Sequence, residues 1–199
     1  MPQLEGDAVT TTRDRILEAS AELFLRQGYV GTGMKQIVIG ARAPSGSVYH
    51  FFPGGKEELG AAVIRWSGEV YAAIVAAALA DEEDVVDAVE AAFAAAAQSV
   101  VDSDYADACP IATVALEVSS SSEVLRQACA EVFESWLDGL AARFAVSGVP
   151  DASARALAHT FLMLLEGAFI LCRATRTTEA LDHAGAAAGA ATRAALGRT

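Results

Sequence analysis

Lysine is nearly missing from this chain: Lys35 and Lys56 are the only two in 199 residues. With a formal net charge of −12, a uniformly cationic coat for polyanions is excluded. Any nucleic-acid contact has to be local. Cysteine is scarce too. Cys109, Cys129 and Cys172 are odd in number and lack metal-ligand spacing, so buried reduced thiols in a cytosolic protein are expected, with no disulfide framework and no metal. No apolar run follows a basic start, so no signal peptide is expected. Residues 71–80 are too short an apolar run to span a bilayer, and His159 and Glu166 interrupt residues 157–172. No membrane partner is expected. Strand-like alternation and internal repeats are absent, as are a phosphate-cradling glycine loop, a nucleophile elbow and a paired metal motif. Cys109, Cys172, His159 and Glu166 could supply a nucleophile and a base, but nothing in the sequence brings them together. Neither an enzyme nor a cofactor is expected.

One further absence is positional. The chain holds 26 acids, yet Leu23 to Lys56 contains none, while it does contain Arg26, Lys35, Arg42 and Lys56. Through residue 66, cationic and acidic residues balance at seven each; beyond it they stand at seven against nineteen. The potential should therefore be positive at one end only, and the acidic remainder should orient the molecule on a polyanion.

What is present is a helical pattern, 53 % hydrophobic overall, which excludes disorder over most of the length. The informative stretch runs from Gly33 to Leu59. Met34 to Ala41 predicts a short helix with Ile37, Val38 and Ala41 inward. Arg42-Ala43-Pro44 interrupts it. Proline suits the first turn of the next helix, predicted over Ser45–Phe51. Two short helices across so tight a turn form a helix-turn-helix, whose second helix can enter a major groove. Val48, Phe51 and Phe52 face inward in this reading. Hydroxyls at Ser45, Ser47 and Tyr49 suit phosphate oxygens, and Gly46 permits close backbone approach. Pro53-Gly54-Gly55 stops the helix. Lys56 opens the next one, where exposed N–H groups also attract anions.

The run Ala43–Leu59, APSGSVYHFFPGGKEEL, resembles the DNA-binding module of TetR-type bacterial repressors, and in particular the branch named for LmrA and YxaF. The resemblance implies an all-α fold. An N-terminal three-helix DNA-binding domain (residues 1–56, helix-turn-helix about 33–52) would precede a helical ligand-binding and dimerisation domain (57–199), about nine helices in all. It also implies that Thr32, expected as the N-cap of the first short helix, meets a phosphate. The DNA-contact set is then Thr32, Lys35, Arg42, Ser45, Gly46, Ser47, Tyr49, His50 and Lys56. This chain departs from the pattern at Arg42, where many relatives have glycine. A left-handed backbone there would strain an arginine.

The rest of the chain follows helical spacing. Residues 1–10 read as a polar arm. Thr11 or Thr12 caps a helix carrying Ile16, Ser20, Leu23, Phe24 and Gln27 on one face, and Gly28 ends it in a left-handed cap. Longer helices are predicted from Lys56 to about Ala80 and from the acidic run 81–84 to about residue 101, and a shorter one from Cys109 to about Val118. Others follow over Glu123–Val146, Asp151–Ala174 and about Thr178–Leu196, with a polar loop at 102–108.

Trp66, Phe93, Tyr105, Glu117, Phe133, Trp136, Met163, Glu166 and Phe169 are candidate pocket residues, since aromatic walls with few polar groups suit a small molecule. Glu117 and Glu166 lie in apolar surroundings, where a carboxylate needs a partner. A cationic ligand would serve, and so would Arg143, Arg173 or Arg176. The family resemblance implies that the last two helices pair with their copies in a four-helix dimer interface, through Leu157, Phe161, Leu164, Gly167, Ala168, Leu171, Gly185 and Gly189. The function expected is a cytoplasmic transcriptional repressor. As a homodimer it would bind a near-palindromic operator in double-stranded DNA and be released by a small apolar or cationic effector. The alternative is a helical ligand-binding protein that has lost DNA binding, which Arg42 favours.

Overall fold

A computed structural model describes residues 11–80, 82–106 and 109–198. The expected N-terminal arm lies outside the described residues. Within them the chain is all helix: α1 (Thr12–Gly31), α2 (Met34–Gly40), α3 (Ser47–Phe51), α4 (Gly55–Ala80), α5 (Val85–Asp102), α6 (Pro110–Val118), α7 (Glu123–Val146), α8 (Asp151–Thr175) and α9 (Glu179–Ala195).

Local chemistry sets most boundaries. Thr11 caps α1: its hydroxyl accepts from Asp14 N–H at 3.2 Å, and Asp14 accepts from Thr11 N–H at 3.1 Å. Ser122 Oγ accepts from Leu125 N–H at 3.2 Å and starts α7. Asp84 accepts from Val86 N–H at 2.8 Å and starts α5. Gly28 takes positive φ (77°) as expected, but with ψ at 169°. That is an extended bend, not a left-handed cap, so a further helical turn follows through Gly31.

Two apolar cores form. In the first, Ile16 and Phe24 of α1, Ile37 of α2 and Val48 and Phe52 around α3 meet Leu59 and Ile64 of α4. This core does not stop at residue 56, because Ile111, Val114 and Val118 of α6 and Leu125 and Val132 of α7 belong to it. Burying each such side chain stabilises by roughly 1.5–3 kcal/mol, so the packing of α6 on α1 and α4 is part of what holds the N-terminal helices. The second core joins the far end of α4 (Leu79) to Phe93 of α5, Phe144 of α7, Phe161 of α8 and Leu181 of α9.

α4 runs through both. Gly68 lets α7 cross it closely: a Cβ there would lie 2.6 Å from Val132 Cγ1. Trp136 Nε1 donates to Gly68 O at 2.8 Å across the same crossing. By length and composition alone, α4 and α8 would each suffice to cross a membrane. In the fold α4 contributes Leu59, Val63 and Ile64 to the first core, and α8 contributes Leu157 and Phe161 to the second.

Candidate DNA-binding face and core cavity

α2 ends in a complete Schellman turn. Arg42 N–H donates to Ile39 O (3.1 Å) and Ala43 N–H to Val38 O (3.2 Å). The residue between the two bonds must be left-handed, and Arg42 is, with φ 47°. Arg15 Nε donates to Ala41 O at 3.3 Å and ties this turn to α1. Pro44 and Ser45-Gly46 belong to the connection, so α3 starts at Ser47, two residues later than expected. Val48 and Phe52 seat α3 on the core, fully buried, while Ser45, Gly46, Tyr49 and His50 face solvent and Ser47 is half-buried. Tyr49 is 59 % exposed. Lys35 and Arg42 are exposed beside them. The result is a short helix that is apolar beneath and carries hydroxyls, an imidazole and flanking cations above. It can hydrogen-bond a phosphate backbone and base edges.

Two expected contacts sit differently. Thr32 is buried, and its hydroxyl donates back to Gly28 O at 2.7 Å. Gly33, not Thr32, is the N-cap of α2. Gln36 reaches back to Gly33 N–H at 2.7 Å, a glutamine at the third helical position that the sequence pattern could have flagged. Lys56 is half-buried, and its Nζ lies 4.3 Å from the centroid of the Tyr29 ring. Burial holds its pKa below the usual lysine range, opposed by the charge of Glu117. The N-terminus of α4 is not an open anion site either, since Glu58 accepts from Gly54 N–H at 2.6 Å.

In the other half, α4, α7 and α8 enclose a cavity of about 360 Å³, which Cys109 closes ahead of α6. Its walls are mostly apolar, with Trp136, Phe161 and Phe169 as the aromatics beside Tyr71. Arg143 lines it too, but donates Nε and Nη2 to Leu79 O (3.2 and 2.8 Å) and Nη1 to Ser147 Oγ, capping the end of α4. Glu166 enters from α8. Burial raises its pKa to about 7, against the opposing hydrogen bond from the Cys109 thiol. Burial, and then the Glu166 charge, push the Cys109 thiol well above its ordinary value.

A third feature is the outer groove between α8 and α9. Met163, Ile170 and Leu171 of α8 are 65 %, 54 % and 56 % exposed. Gly167, Ala180 and Ala187 complete an apolar trough with Met163 and Leu171.

Comparison with known proteins assigns the family. Residues 16–63 match the profile of the bacterial regulatory proteins of the tetR family, and residues 85–187 match the C-terminal domain of the LmrA/YxaF-like transcriptional regulators. The chain belongs to the TetR family. YxaF of Bacillus subtilis, an uncharacterized HTH-type transcriptional regulator, is 32 % identical over 160 residues, which is 80 % of this chain and 84 % of the relative. The HTH-type transcriptional regulator LmrA of the same organism is 28 % identical over 172 residues, 86 % and 92 % of the two chains. A TetR transcriptional regulator from Legionella pneumophila shares the fold, with a TM-score of 0.78, 22 % identity and coverage of 91 % and 97 %. This TetR-family regulator therefore has a DNA-binding helix-turn-helix and acts in transcription regulation.

Within the regulator's fold, the expected pocket set separates. Trp136, Glu166 and Phe169 line the cavity. Trp66 and Phe133 pack on the first core, and Phe93 is buried in the second against Phe161, ring centroids 5.0 Å apart. Tyr105 lies under the Arg176 guanidinium, 5.2 Å from its ring centroid. Met163 is on the outer face. Glu117 is not in the cavity at all: it accepts from Val30 N–H at 2.9 Å and lies over Gly28, where a Cβ would sit 1.8 Å from its Oε1. Among the described residues neither glutamate forms an ion pair with an arginine.

The expected interface set divides as well. Gly167 and Leu171 are exposed and Leu164 half-buried, but Leu157, Phe161 and Ala168 are core residues of their own chain. Gly185 and Gly189 face α5, where added Cβ atoms would lie 2.9 Å from Phe93 Cβ and 2.2 Å from Glu90 Oε1. Their smallness serves the α5–α9 crossing. Cys109 and Glu166 are brought together; His159 is on the surface and Cys172 is buried in the second core.

Proposed function

We propose that this chain is a cytoplasmic, effector-released repressor that binds a near-palindromic operator as a homodimer. The observation that carries the reading is α3: a polar, exposed helix on a buried apolar seat, at the one acid-poor end of an anionic molecule. In a dimer built on the exposed α8–α9 groove, two such helices about 34 Å apart would meet successive major grooves. Lys35, Arg42, Ser45, Gly46, Ser47, Tyr49 and His50 form the contact set. Lys56 joins it only by leaving Tyr29. Arg42, the feature that favoured a lost DNA-binding function, completes its turn with both hydrogen bonds, so it no longer supports that alternative.

The cavity is the effector site in this reading, and α6 is the link from it to the DNA-binding module. Its N-cap, Cys109, touches Glu166 at the cavity wall. Two turns on, roughly 12 Å away, Glu117 holds Val30 N–H and covers Gly28 at the foot of α1. A ligand that displaces Cys109 would move the residue clamping the DNA-binding helices, alongside any motion carried by α4. It can shift the equilibrium only by its differential affinity for the two states, about 1–3 kcal/mol in typical cases. Footprinting on DNA flanking the chain's own coding region, with sedimentation of the protein, tests the reading. A protected near-palindrome and a dimer are expected. A monomer that protects nothing would overturn it.

A further inference from the structure

The cavity also indicates what kind of molecule it accepts, an inference that rests on reading it as the effector site. The charged and titratable groups lining it are Tyr71 from α4, Cys109 ahead of α6, Arg143 from α7 and Glu166 from α8. Arg143 is already committed to Leu79 O and Ser147 Oγ. Among the described residues, the partner of Glu166 is the Cys109 thiol, a weak donor facing a group that can accept about four hydrogen bonds. The carboxyl thus lies between apolar and aromatic walls with no cation paired to it, since the Arg143 guanidinium is turned to Leu79 O and Ser147 Oγ. Such a group is costly when ionised and alone, and favourable when a cation is brought to it. Trp136 and Phe169 add π faces that attract the same charge.

We propose that the cavity takes a monocationic, amphipathic organic amine, its ammonium paired with Glu166 and its apolar body between Trp136, Phe169 and the alanine face of α4. A neutral molecule of equal size would gain at most a hydrogen bond there, and an anionic group placed beside ionised Glu166 would be repelled by it. Binding is then coupled to protons. Unliganded Glu166 titrates near neutrality, and an ammonium beside it favours the ionised form. Affinity for the amine rises with pH through that range, and complex formation near pH 6 releases a proton.

The test uses the full-length protein, without DNA, and two probes of matched shape, 4-phenylbutylamine and 4-phenylbutan-1-ol, titrated by calorimetry in buffers of different ionisation enthalpy. At pH 8 the amine should bind at least about tenfold more tightly than the alcohol, since each unit by which a cation lowers the Glu166 pKa is a factor of ten in affinity. The preference should shrink to within about twofold at pH 5.5 and in Glu166→Gln, tenfold again corresponding to one pKa unit. The pH profile and proton release on the unaltered protein give the answer even if the variant folds poorly. Equal binding of both probes at pH 8, binding of neither, or a preference that survives in Glu166→Gln overturns the proposal. Release from operator DNA is measured separately. Amine binding without release would leave this inference standing and sink the regulatory reading instead.

Discussion

The two exposed surfaces of this molecule are opposite in kind. On α3 Val48 and the following Phe52 lie beneath and Phe51 is half-buried, while hydroxyl, imidazole and flanking cations reach solvent, with Ile39 of α2 the exposed apolar neighbour. Along α8 it is Met163, Ile170 and Leu171 that reach solvent, and α9 lines the groove beside them with alanines, Glu179 and His183. Helix length and composition do not explain the contrast, since α3 is the shorter helix and has aromatic neighbours. Packing does: Val48 and Phe52 find a finished core under α3, whereas α8 has already filled its inner face with Leu157, Phe161 and Ala168 and has apolar residues left over. A polar surface on a rigid seat is suited to reading a charged, hydrated partner. A left-over apolar trough is suited to a surface of its own kind.

The comparison can be broken most severely under α3. Phe52→Ala should cost about 3–5 kcal/mol in a denaturant titration, whereas Tyr49→Phe, on the exposed side, should change stability by less than about 0.5 kcal/mol and weaken operator binding alone. Equal destabilisation by both would mean that α3 has no seat-and-face division. At the other surface, Met163→Glu with Leu171→Glu should give a monomer by sedimentation and cost at least about 100-fold in operator affinity through lost bivalency. A dimer that survives both charges places the interface elsewhere.

Between the surfaces, Glu166 sets a pH dependence. Its folded pKa, about 7, lies above the ordinary 4.5. The folded state therefore binds the proton more tightly, and the stabilisation is lost as pH rises through the folded value. Unfolding free energy should fall by about 2 kcal/mol from pH 5.5 to pH 8 relative to Glu166→Gln. Parallel pH profiles for the two proteins would remove Glu166 from that role. Smaller effects sharpen the DNA face. Lys35→Ala should lower the salt slope of operator binding by about one, while Lys56→Ala, its ammonium held on Tyr29, should leave that slope alone. Arg42→Gly should stabilise the fold by about 1 kcal/mol by relieving a left-handed arginine. An unchanged or lower midpoint would count against strain there.

Helix positions were largely legible because their ends are local chemistry. Ser122 and Ser147-Gly148 bracket α7 at Glu123 and Val146, as the sequence suggests. Partnerships were less so. Gly185 and Gly189 announce a close approach in the sequence, but not that α5 of the same chain makes it. Glu117 and Glu166 look alike in sequence, each a lone carboxylate among apolar residues. One clamps the backbone near Gly28 and the other enters the cavity, a difference set by the packing of α6 on α1 and of α8 on α7. Thr32 shows the same limit at short range. A threonine before a helix can cap it, yet here the bend at Gly28 turns its hydroxyl inward and leaves the job to Gly33 and Gln36.

At Gly28 a carboxylate from 89 positions further along the chain rests against bare backbone. Any side chain at that spot would evict Glu117 and unlock the base of α1, whatever the cavity contains. On the proposed effector-released reading, variants frozen in one regulatory state, selected blindly for loss of response to an inducer, should thus accumulate at positions 28 and 117, outside both the proposed DNA-contact set and the cavity lining.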